Sequence, residues 1–407
     1  MTMFTPEDLK ARLNLTDNAY HTIGRRWRQL SEGWDGTMPE FLDEEFFRKY
    51  FNYAHAAGDV DDLMERIRKV LDICRSTPEV AMYAHMYYRA IFVVKPGLSS
   101  EDLTPPEILG ENGGVFNLLV AMAAAPLIEK NFKAFGIPEK YAHDIIQWLG
   151  GAIGIYRQGH NGIPGHSNLQ TYWLRFYADL KLFRIGRLEY LMHPCPAWAP
   201  MVFRAEDGRL QVLASEGGLF DEKGLVLPAS MADKAVDTAD VREDGRFVVG
   251  MPIAEDGHAL VGQRVKVDTS VFKPVCTPWS LVPSMHIPGG LRLDLEEVKD
   301  SLRQAKEFFR TYFHRDVPMF VCESWILNPA WRRYLPDGNM TRLQLWAHAA
   351  QPSSTTGKDG DFFVFGRSDV PVDRLPATNH IQRVLQQALK EEGLLRCGAL
   401  FVLADEI

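Results

Sequence analysis

The first part of the chain has the hydrophobic spacing of amphipathic helices. In "DVDDLMERIRKVLDICRS", apolar residues recur every three or four positions from Val60 to Cys74, which is the period of one helix face. Residues 138–160 and 167–183 show similar spacing. No convincing strand pattern occurs before about Leu180. The pattern therefore predicts an all-helical N-terminal domain over residues 1–180.

The period changes near Phe183, where strand-like runs begin. "FRIGRLEYLMH" and "WAPMVFRAEDGRLQVLAS" favour strands, with a turn at "EDG" in the second. Residues 216–257 are rich in Gly, Asp and Ala and predict loops and short strands. "DFFVFGR" and "CGALFVLADEI" predict later strands, separated by the helical segment "TNHIQRVLQQALKEEG". Residues 181–407 are therefore predicted to form an α/β domain with a mixed sheet, in a chain that is α+β overall.

Residues Ser284–Leu327 predict a strand, a glycine turn, a helix and a second strand, which is a βαβ unit. Gly289 and Gly290 lie between the first strand and the N-cap candidate Asp294. They fit a simple turn. They also fit a backbone that approaches a phosphate, because glycine has no Cβ and a helix N-terminus favours an anion. The first turn of the following helix is acidic and disfavours an anion. A phosphate would therefore have to contact the glycine loop itself.

The second strand of this unit, predicted over Met319–Pro329, carries Glu323 among apolar neighbours. Desolvation would favour the neutral form of a carboxyl group there, and such a group in a cleft is a candidate general base. A salt-bridged or solvent-facing Glu near a strand end is the alternative. If the two strands are neighbours, His286 would open toward the same crevice, although most lone histidines are structural. Ser324 lacks the G-x-S-x-G frame of a nucleophile.

Charge and cysteine content narrow the class of protein. The chain has 407 residues, which suggests two domains, and a net charge of -8, which gives no basic footprint for nucleic acid. Its five cysteines are scattered and form no C-x-x-C pair. We therefore expect reduced thiols, no metal site and a cytoplasmic location. The apolar run from Val115 to Ile128 is shorter than the ~18–20 residues of a membrane span. It predicts a buried helix, with no membrane partner.

Several segments together resemble the two-domain GNAT-like acyltransferases, in which a helical N-terminal domain precedes a GNAT-like domain. The segments are "DIIQWLGGAIGIYRQGHNGI", "FRIGRLEY", "MHIPGG" with its following helix, "CESWILNP" with "GNMTRLQLW", and "TNHIQRVLQQALKEEG" with "RCGALFVL". Residues 207–281 carry little of the resemblance. Where GNAT enzymes usually have Arg or Gln, two further residues and then Gly-x-Gly or Gly-x-Ala, this chain has "HIPGG".

The resemblance implies an acyl-CoA donor, such as acetyl-CoA, that enters where two parallel strands splay apart, with its pyrophosphate on the loop after the first strand. It implies Glu323 as general base and His286 as a group that orients or shares the proton. Donor contacts would come from Ile287, Gly289, Gly290 and Ser324, and acceptor contacts from Trp325 and Asn339.

Two functions remain open at this level. The first is transfer of an acyl group to an amine of an unknown acceptor. The second is a non-catalytic ligand- or partner-binding protein on a GNAT-like scaffold, because a fold does not guarantee a chemistry. The altered phosphate loop favours the second function, and the carboxylate in an apolar strand favours the first.

Overall fold

The computed structural model describes residues 4–56, 58–95, 98–99, 102–192, 195–367 and 371–407. The chain divides into two compact units, Met1–Phe183 and Arg184–Ile407. The sequence predicted a boundary after residue 180, three residues before the end of the first unit.

The N-terminal unit is built from helices through Ala178. Helix α4 shows why: it buries the predicted stripe, including Leu63, Ile67 and Val70, while its charged residues remain on the other face. The helices are α1 (Pro6–Leu13), α2 (Asp17–Ser31), α3 (Glu44–Tyr50), α4 (Val60–Ser76), α5 (Pro78–Tyr88), α6 (Gly113–Met122), α7 (Ala124–Phe135), α8 (Glu139–Ile146), α9 (Ile153–Gly159), α10 (Asn168–Trp173) and α11 (Arg175–Ala178).

The apolar run forms the buried centre of this unit, as predicted. Glu107–Phe135 is one helical stretch long and apolar enough to cross a membrane, but 72% of its most apolar window is buried within the protein. Packing around α6 leaves no room for larger residues. A Cβ on Gly165 would lie 2.6 Å from the backbone of Gly114. These contacts are typical of a core helix.

The C-terminal unit contains most of the strands. The boundary between the units falls inside the first of them. The strands are β1 (Leu182–Ile185), β2 (Leu188–Leu191), β3 (Val202–Ala205), β4 (Leu210–Val212), β5 (Leu219–Phe220), β6 (Asp237–Thr238), β7 (Val241–Asp244), β8 (Phe247–Gly250), β9 (Val265–Asp268), β10 (Phe272–Pro274), β11 (Ser284–His286), β12 (Met319–Ser324), β13 (His348–Ala350) and β14 (Gly398–Leu403). The helices are α12 (Leu295–Phe313), α13 (Trp331–Tyr334), α14 (Asn339–Trp346), α15 (Asp361–Phe365) and α16 (His380–Glu392).

A six-stranded sheet in the order β1-β2-β11-β12-β14-β13 organises this unit. Strands β11 and β12 are parallel, whereas β11–β2, β12–β14 and β13–β14 are antiparallel. The predicted mixed sheet and the βαβ unit β11–α12–β12 are therefore confirmed. The segment between β2 and β11 forms small separate sheets, in the orders β10-β3-β4, β5-β6 and β7-β8-β9.

Two local predictions are wrong. Strand β12 ends at Ser324 rather than Pro329, because the chain turns there into a 3-10 helix and the Ser324 hydroxyl accepts from the backbone N–H of Ile326. "DFFVFGR" forms helix α15 and not a strand, bounded by Gly360 and Gly366, which both have positive φ.

Gln351–Asp361, which its polar, turn-rich composition predicts to be a surface loop, is only partly at the surface. Its exposed residues are Ser353, Ser354, Thr356 and Lys358. Gln351, Thr355 and Asp361 are buried. The Gln351 side chain accepts from the backbone N–H of Ser215 at 3.0 Å, which anchors this segment to a distant part of the same unit. Gln351 and Thr355 are hydrogen-bonded, as buried polar side chains usually are. Oδ1 of Asp361, by contrast, has no hydrogen-bond partner among the described residues.

Candidate active site

Strands β11 and β12 separate at their carboxyl ends. Among the described residues, one pair joins them, Ser284 with Val321. The next pair along the same register would be His286 with Glu323, and the ladder does not include it. The two strands thus run in parallel, make one pairing and then leave a gap at the edge where both end. This edge is where ligands bind in open α/β sheets.

One face of the sheet carries a row of ionisable residues across three strands. His286 pairs with Glu189 of β2, so these side chains lie on the same face. Glu323 follows Val321 by two positions, which places it on that face too. The expectation that His286 and Glu323 open toward one crevice is consistent with this register. The sequence analysis missed Glu189, which is buried and pairs with Arg184 at 3.1 Å.

The surroundings of Glu323 differ from those predicted. The indole N–H of Trp198 donates to its Oε1 at 2.7 Å. Ser353 donates twice, through its backbone N–H to Oε2 at 2.9 Å and through its hydroxyl to Oε1 at 2.7 Å. The carboxylate is half-buried among these donors and not desolvated among apolar groups.

The opposite face of the sheet borders a small apolar cavity of about 10 Å³. Its walls come from the sheet, α12 and α14: Leu188, Met285, Ile287, Val298, Leu302, Cys322, Leu343, Trp346, Leu400 and Val402. Ile287, a predicted donor contact, lines this cavity. Burial raises the pKa of the Cys322 thiol to about 12, which makes this cysteine an inert apolar wall.

A polar cleft of about 230 Å³ lies between the N-termini of α12 and α14. It shares Val298 and Leu343 with the apolar cavity, so the two spaces have a common wall. At α12, the Asp294 carboxylate already accepts from two backbone N–H groups, those of Glu296 and Glu297. This occupied, acidic N-terminus is unfavourable for an anion.

The N-terminus of α14 is different. Its N-cap is Gly338, which makes no side-chain cap, so backbone N–H groups of the first turn remain for other acceptors. Asn339 and Arg342 line the cleft from this helix. Asn339 was predicted as an acceptor contact, and it lies where an anionic ligand would meet the helix dipole. The sequence analysis missed Arg342, although an Arg in the first turn of a helix with a glycine cap is a usable signal.

The loop that contains Gly289 and Gly290 is exposed. Hydrogen bonds from a buried arginine hold the backbone that follows it. Gly290 has a φ of 84°, which requires glycine, whereas a Cβ on Gly289 would meet no atom within 4 Å. Buried Arg187 donates to the carbonyl oxygens of Leu291 at 2.9 Å and Arg292 at 3.0 Å. The loop is therefore a fixed turn with accessible backbone. The described lining of the cleft begins just after it, at Leu293.

The remaining predicted contacts lie apart from both cavities. The Ser324 hydroxyl caps the 3-10 helix that follows β12. Trp325 packs on the hydrophobic cluster around Trp331, whose indole N–H donates to the Trp325 carbonyl at 2.7 Å. The ring of Trp325 is also covered by Gly360, where a Cβ would come within 2.9 Å. Across the described part of the chain, no group of three His, Cys, Asp or Glu residues could hold a metal ion.

A sequence profile of the GNAT-like C-terminal domain matches residues 182–399, which is more than half of the chain. The chain belongs to the GNAT-like C-terminal domain family. The match covers β11, β12, the polar cleft and the segment that contains Ser353. No curated protein matches the sequence.

Solved acyltransferases share the fold of this GNAT-like chain. One, in complex with decanoyl-CoA and teicoplanin, has a TM-score of 0.63 and 17% identity, covering 98% of this chain and 100% of its own. A variant in complex with octanoyl-CoA has a TM-score of 0.63 and 18% identity, covering 98% and 99%. A third, in complex with CoA and 10C-teicoplanin, has a TM-score of 0.63 and 17% identity, covering 98% of this chain and 100% of its own. The similarity includes the helical N-terminal region.

Proposed function

We propose that this protein transfers an acyl group from acyl-CoA to an amine of an acceptor molecule. The observation that carries the proposal is the splayed parallel pair β11–β12, with a polar cleft at helix N-termini on one face and an ionisable row on the other. Membership of the GNAT-like family supports an acyl-CoA donor, and so do the CoA complexes of the fold neighbours.

In this proposal the donor phosphates bind at the first turn of α14, with Arg342 and Asn339, and extend toward the accessible backbone of Gly289 and Gly290. A phosphate gains most from a cationic side chain and free backbone N–H groups. The pantetheine arm then follows the apolar walls, which include Ile287. The gap beyond Ser284 and Val321 lets the thioester reach the face that carries Glu323.

On that face, Glu323 accepts a proton from the attacking amine, directly or through a water molecule. His286 lies on the same face of the sheet and shares or relays the proton. Backbone N–H groups near Ser324 polarise the thioester carbonyl. Trp325 keeps a structural role under the acceptor site. No metal takes part.

The acceptor class is an amine-bearing small molecule or protein. One fold neighbour is in complex with teicoplanin, which favours testing large amine-bearing compounds as well as small ones. Because the donor is an acyl-CoA, the cytoplasm suits the reaction, and neither nucleic acid nor a membrane is needed.

A second candidate is a ligand-binding protein without turnover, and the three donors on Glu323 favour it. A carboxylate has about four acceptor positions. Three of those positions are engaged here, which leaves about one for the proton of an amine. In that case, Glu323 would hold Trp198 and Ser353 together and would not act on a substrate.

The experiment that separates the two functions uses Glu323→Gln. Release of free CoA thiol is followed with acetyl-, octanoyl- and decanoyl-CoA against a panel of primary amines, and donor binding is measured by calorimetry. We expect Glu323→Gln to bind the donor as the parent does and to lose about 10²–10⁴-fold in turnover. Ser353→Ala is the matched control, which perturbs the same carboxylate without removing it. Donor binding with no thiol release by the parent would establish the second candidate.

A further inference from the structure

Two cysteines lie side by side outside the cleft. The Sγ atoms of Cys195 and Cys276 are 4.0 Å apart, although 81 positions separate them in the chain. Both belong to the hydrophobic cluster that also contains Trp198 and Val321. A disulfide needs about 2 Å between the sulfurs, so a shift of roughly 2 Å would close this pair. Other thiols, such as Cys74 and Cys322, are buried.

We propose that Cys195 and Cys276 form a reversible dithiol–disulfide pair, oxidised by exchange with a small disulfide such as oxidised glutathione. The proposal rests on the geometry of this pair and not on the acyltransferase function. The pair would be a redox-modification site beside the anchor of Glu323, since Trp198 follows Cys195 by three residues and donates to Glu323.

The two thiols differ in accessibility and in pKa, as thiol–disulfide exchange requires of an attacking and a resolving cysteine. Cys195 is half-buried and can meet a small disulfide, whereas Cys276 is buried. A hydrogen bond from Cys276 lowers the pKa of the Cys195 thiol. The contact with Cys195, together with burial, raises the pKa of the Cys276 thiol. Cys195 is therefore the attacking group and Cys276 the resolving group.

The chemistry balances in two exchange steps. The Cys195 thiolate attacks one sulfur of oxidised glutathione, forms a mixed disulfide and releases one glutathione thiolate. Cys276 loses its proton to solvent and attacks the Cys195 sulfur, which breaks the mixed disulfide and releases the second glutathione. The protein thus loses two hydrogens while one glutathione disulfide is reduced to two thiols.

The product would tie the segment that carries Trp198 to the segment that leads into β11. Trp198 is fully buried and Val282, just before β11, is 1% exposed. The link would therefore join two parts of one hydrophobic cluster. Such a pair in a reducing compartment is expected to be transient and not a structural bridge.

The test uses the whole protein in mixtures of reduced and oxidised glutathione, quenched with acid, unfolded and treated with a maleimide of known mass. The chain has five cysteines, so the reduced form should take five labels and the oxidised form three. A non-reducing digest should show the Cys195 and Cys276 peptides joined, and dithiothreitol should restore all five labels.

Matched variants identify the pair. Cys195→Ser and Cys276→Ser should each abolish the joined peptide, whereas Cys74→Ser should keep it. Glutathione that remains on Cys195 without resolution, five labels under all conditions, or a link between other cysteines would overturn the proposal.

Discussion

At the scale of single residues, the site depends on how its polar groups are held. Trp198 is fully buried, and its N–H has Glu323 as its partner. Ser353, by contrast, lies at an exposed position. The same carboxylate therefore has one partner from the core and one from the surface. Losing the buried partner should cost more, because an unmade hydrogen bond in the interior is not replaced by water.

Replacing Trp198 tests this difference. Trp198→Phe removes the N–H and part of the ring, leaving a small void beside an anion, and we expect a loss of about 1–3 kcal/mol in the free energy of unfolding. Ser353→Ala removes an exposed hydroxyl and should cost less than about 1 kcal/mol. Urea unfolding of both variants measures the comparison. Equal small losses would show that the indole bond does not matter for stability.

His166 predicts an acid-sensitive step in the N-terminal unit. Neither ring nitrogen has a hydrogen-bond partner among the described residues, and burial lowers the pKa of His166 from 6.5 to about 3. The folded unit therefore binds fewer protons than the unfolded chain between those values. The stability is complete above about pH 6.5 and is lost as the pH falls toward 3, by on the order of 4 kcal/mol.

The variant His166→Phe isolates this contribution. It keeps a planar ring and removes the titrating group, so the stability of the variant should fall less steeply between pH 6.5 and 4 than that of the parent. Unfolding by urea at several pH values gives the two slopes. Identical slopes would mean that His166 is hydrated or paired in solution.

At the scale of elements, local pattern predicts much of the βαβ unit. Helix α12 starts after the predicted N-cap Asp294 and buries Val298, Leu302, Ala305 and Phe309, which recur at helical spacing. The end of β12 was not predictable in the same way, because "SWIL" remains apolar while the chain turns. The misassigned strand at α15 has the same cause: an apolar run of five to seven residues fits a strand and a buried helix equally.

The glycine loop gives a prediction at this scale. Gly290 has a φ of 84°, where a Cβ costs about 1–2 kcal/mol, whereas Gly289 has open space around it. Gly290→Ala should therefore destabilise the protein by about 1 kcal/mol and Gly289→Ala should not. If the loop backbone contacts the donor phosphates, Gly289→Val should weaken CoA binding while stability is retained. Unchanged CoA affinity in a folded Gly289→Val would leave only the turn function for this glycine.

At the scale of the whole molecule, the fold class could be predicted and the site only in part. Periodicity and the resemblance indicate the helical and mixed-sheet halves. The row of Glu189, His286 and Glu323 depends on pairing between distant strands. The partners of Glu323 lie 125 and 30 positions away in the chain. No local pattern encodes such contacts. The sequence therefore singled out Glu323 but predicted apolar surroundings for it, whereas the structure gives it three hydrogen-bond donors.

Ligand binding should be visible in the stability of the full chain. A ligand that binds the folded state alone stabilises it by about 2.7 kcal/mol at 100 times its dissociation constant. CoA should therefore raise the unfolding temperature in a concentration-dependent way, and added salt should reduce the effect because phosphate contacts are screened. Arg342 lines the cleft beside the uncapped start of α14, so Arg342→Ala should weaken CoA binding about tenfold.

The matched control is Arg303→Ala, which removes an exposed arginine of α12 paired with Asp300 at 3.9 Å. It changes the net charge by the same amount without touching the described cleft, so a general electrostatic effect would appear equally in both variants. A selective loss in Arg342→Ala places the phosphates at α14, because the acidic cap of α12 cannot substitute for the missing guanidinium. Equal CoA affinity in the parent and both variants would contradict this donor site.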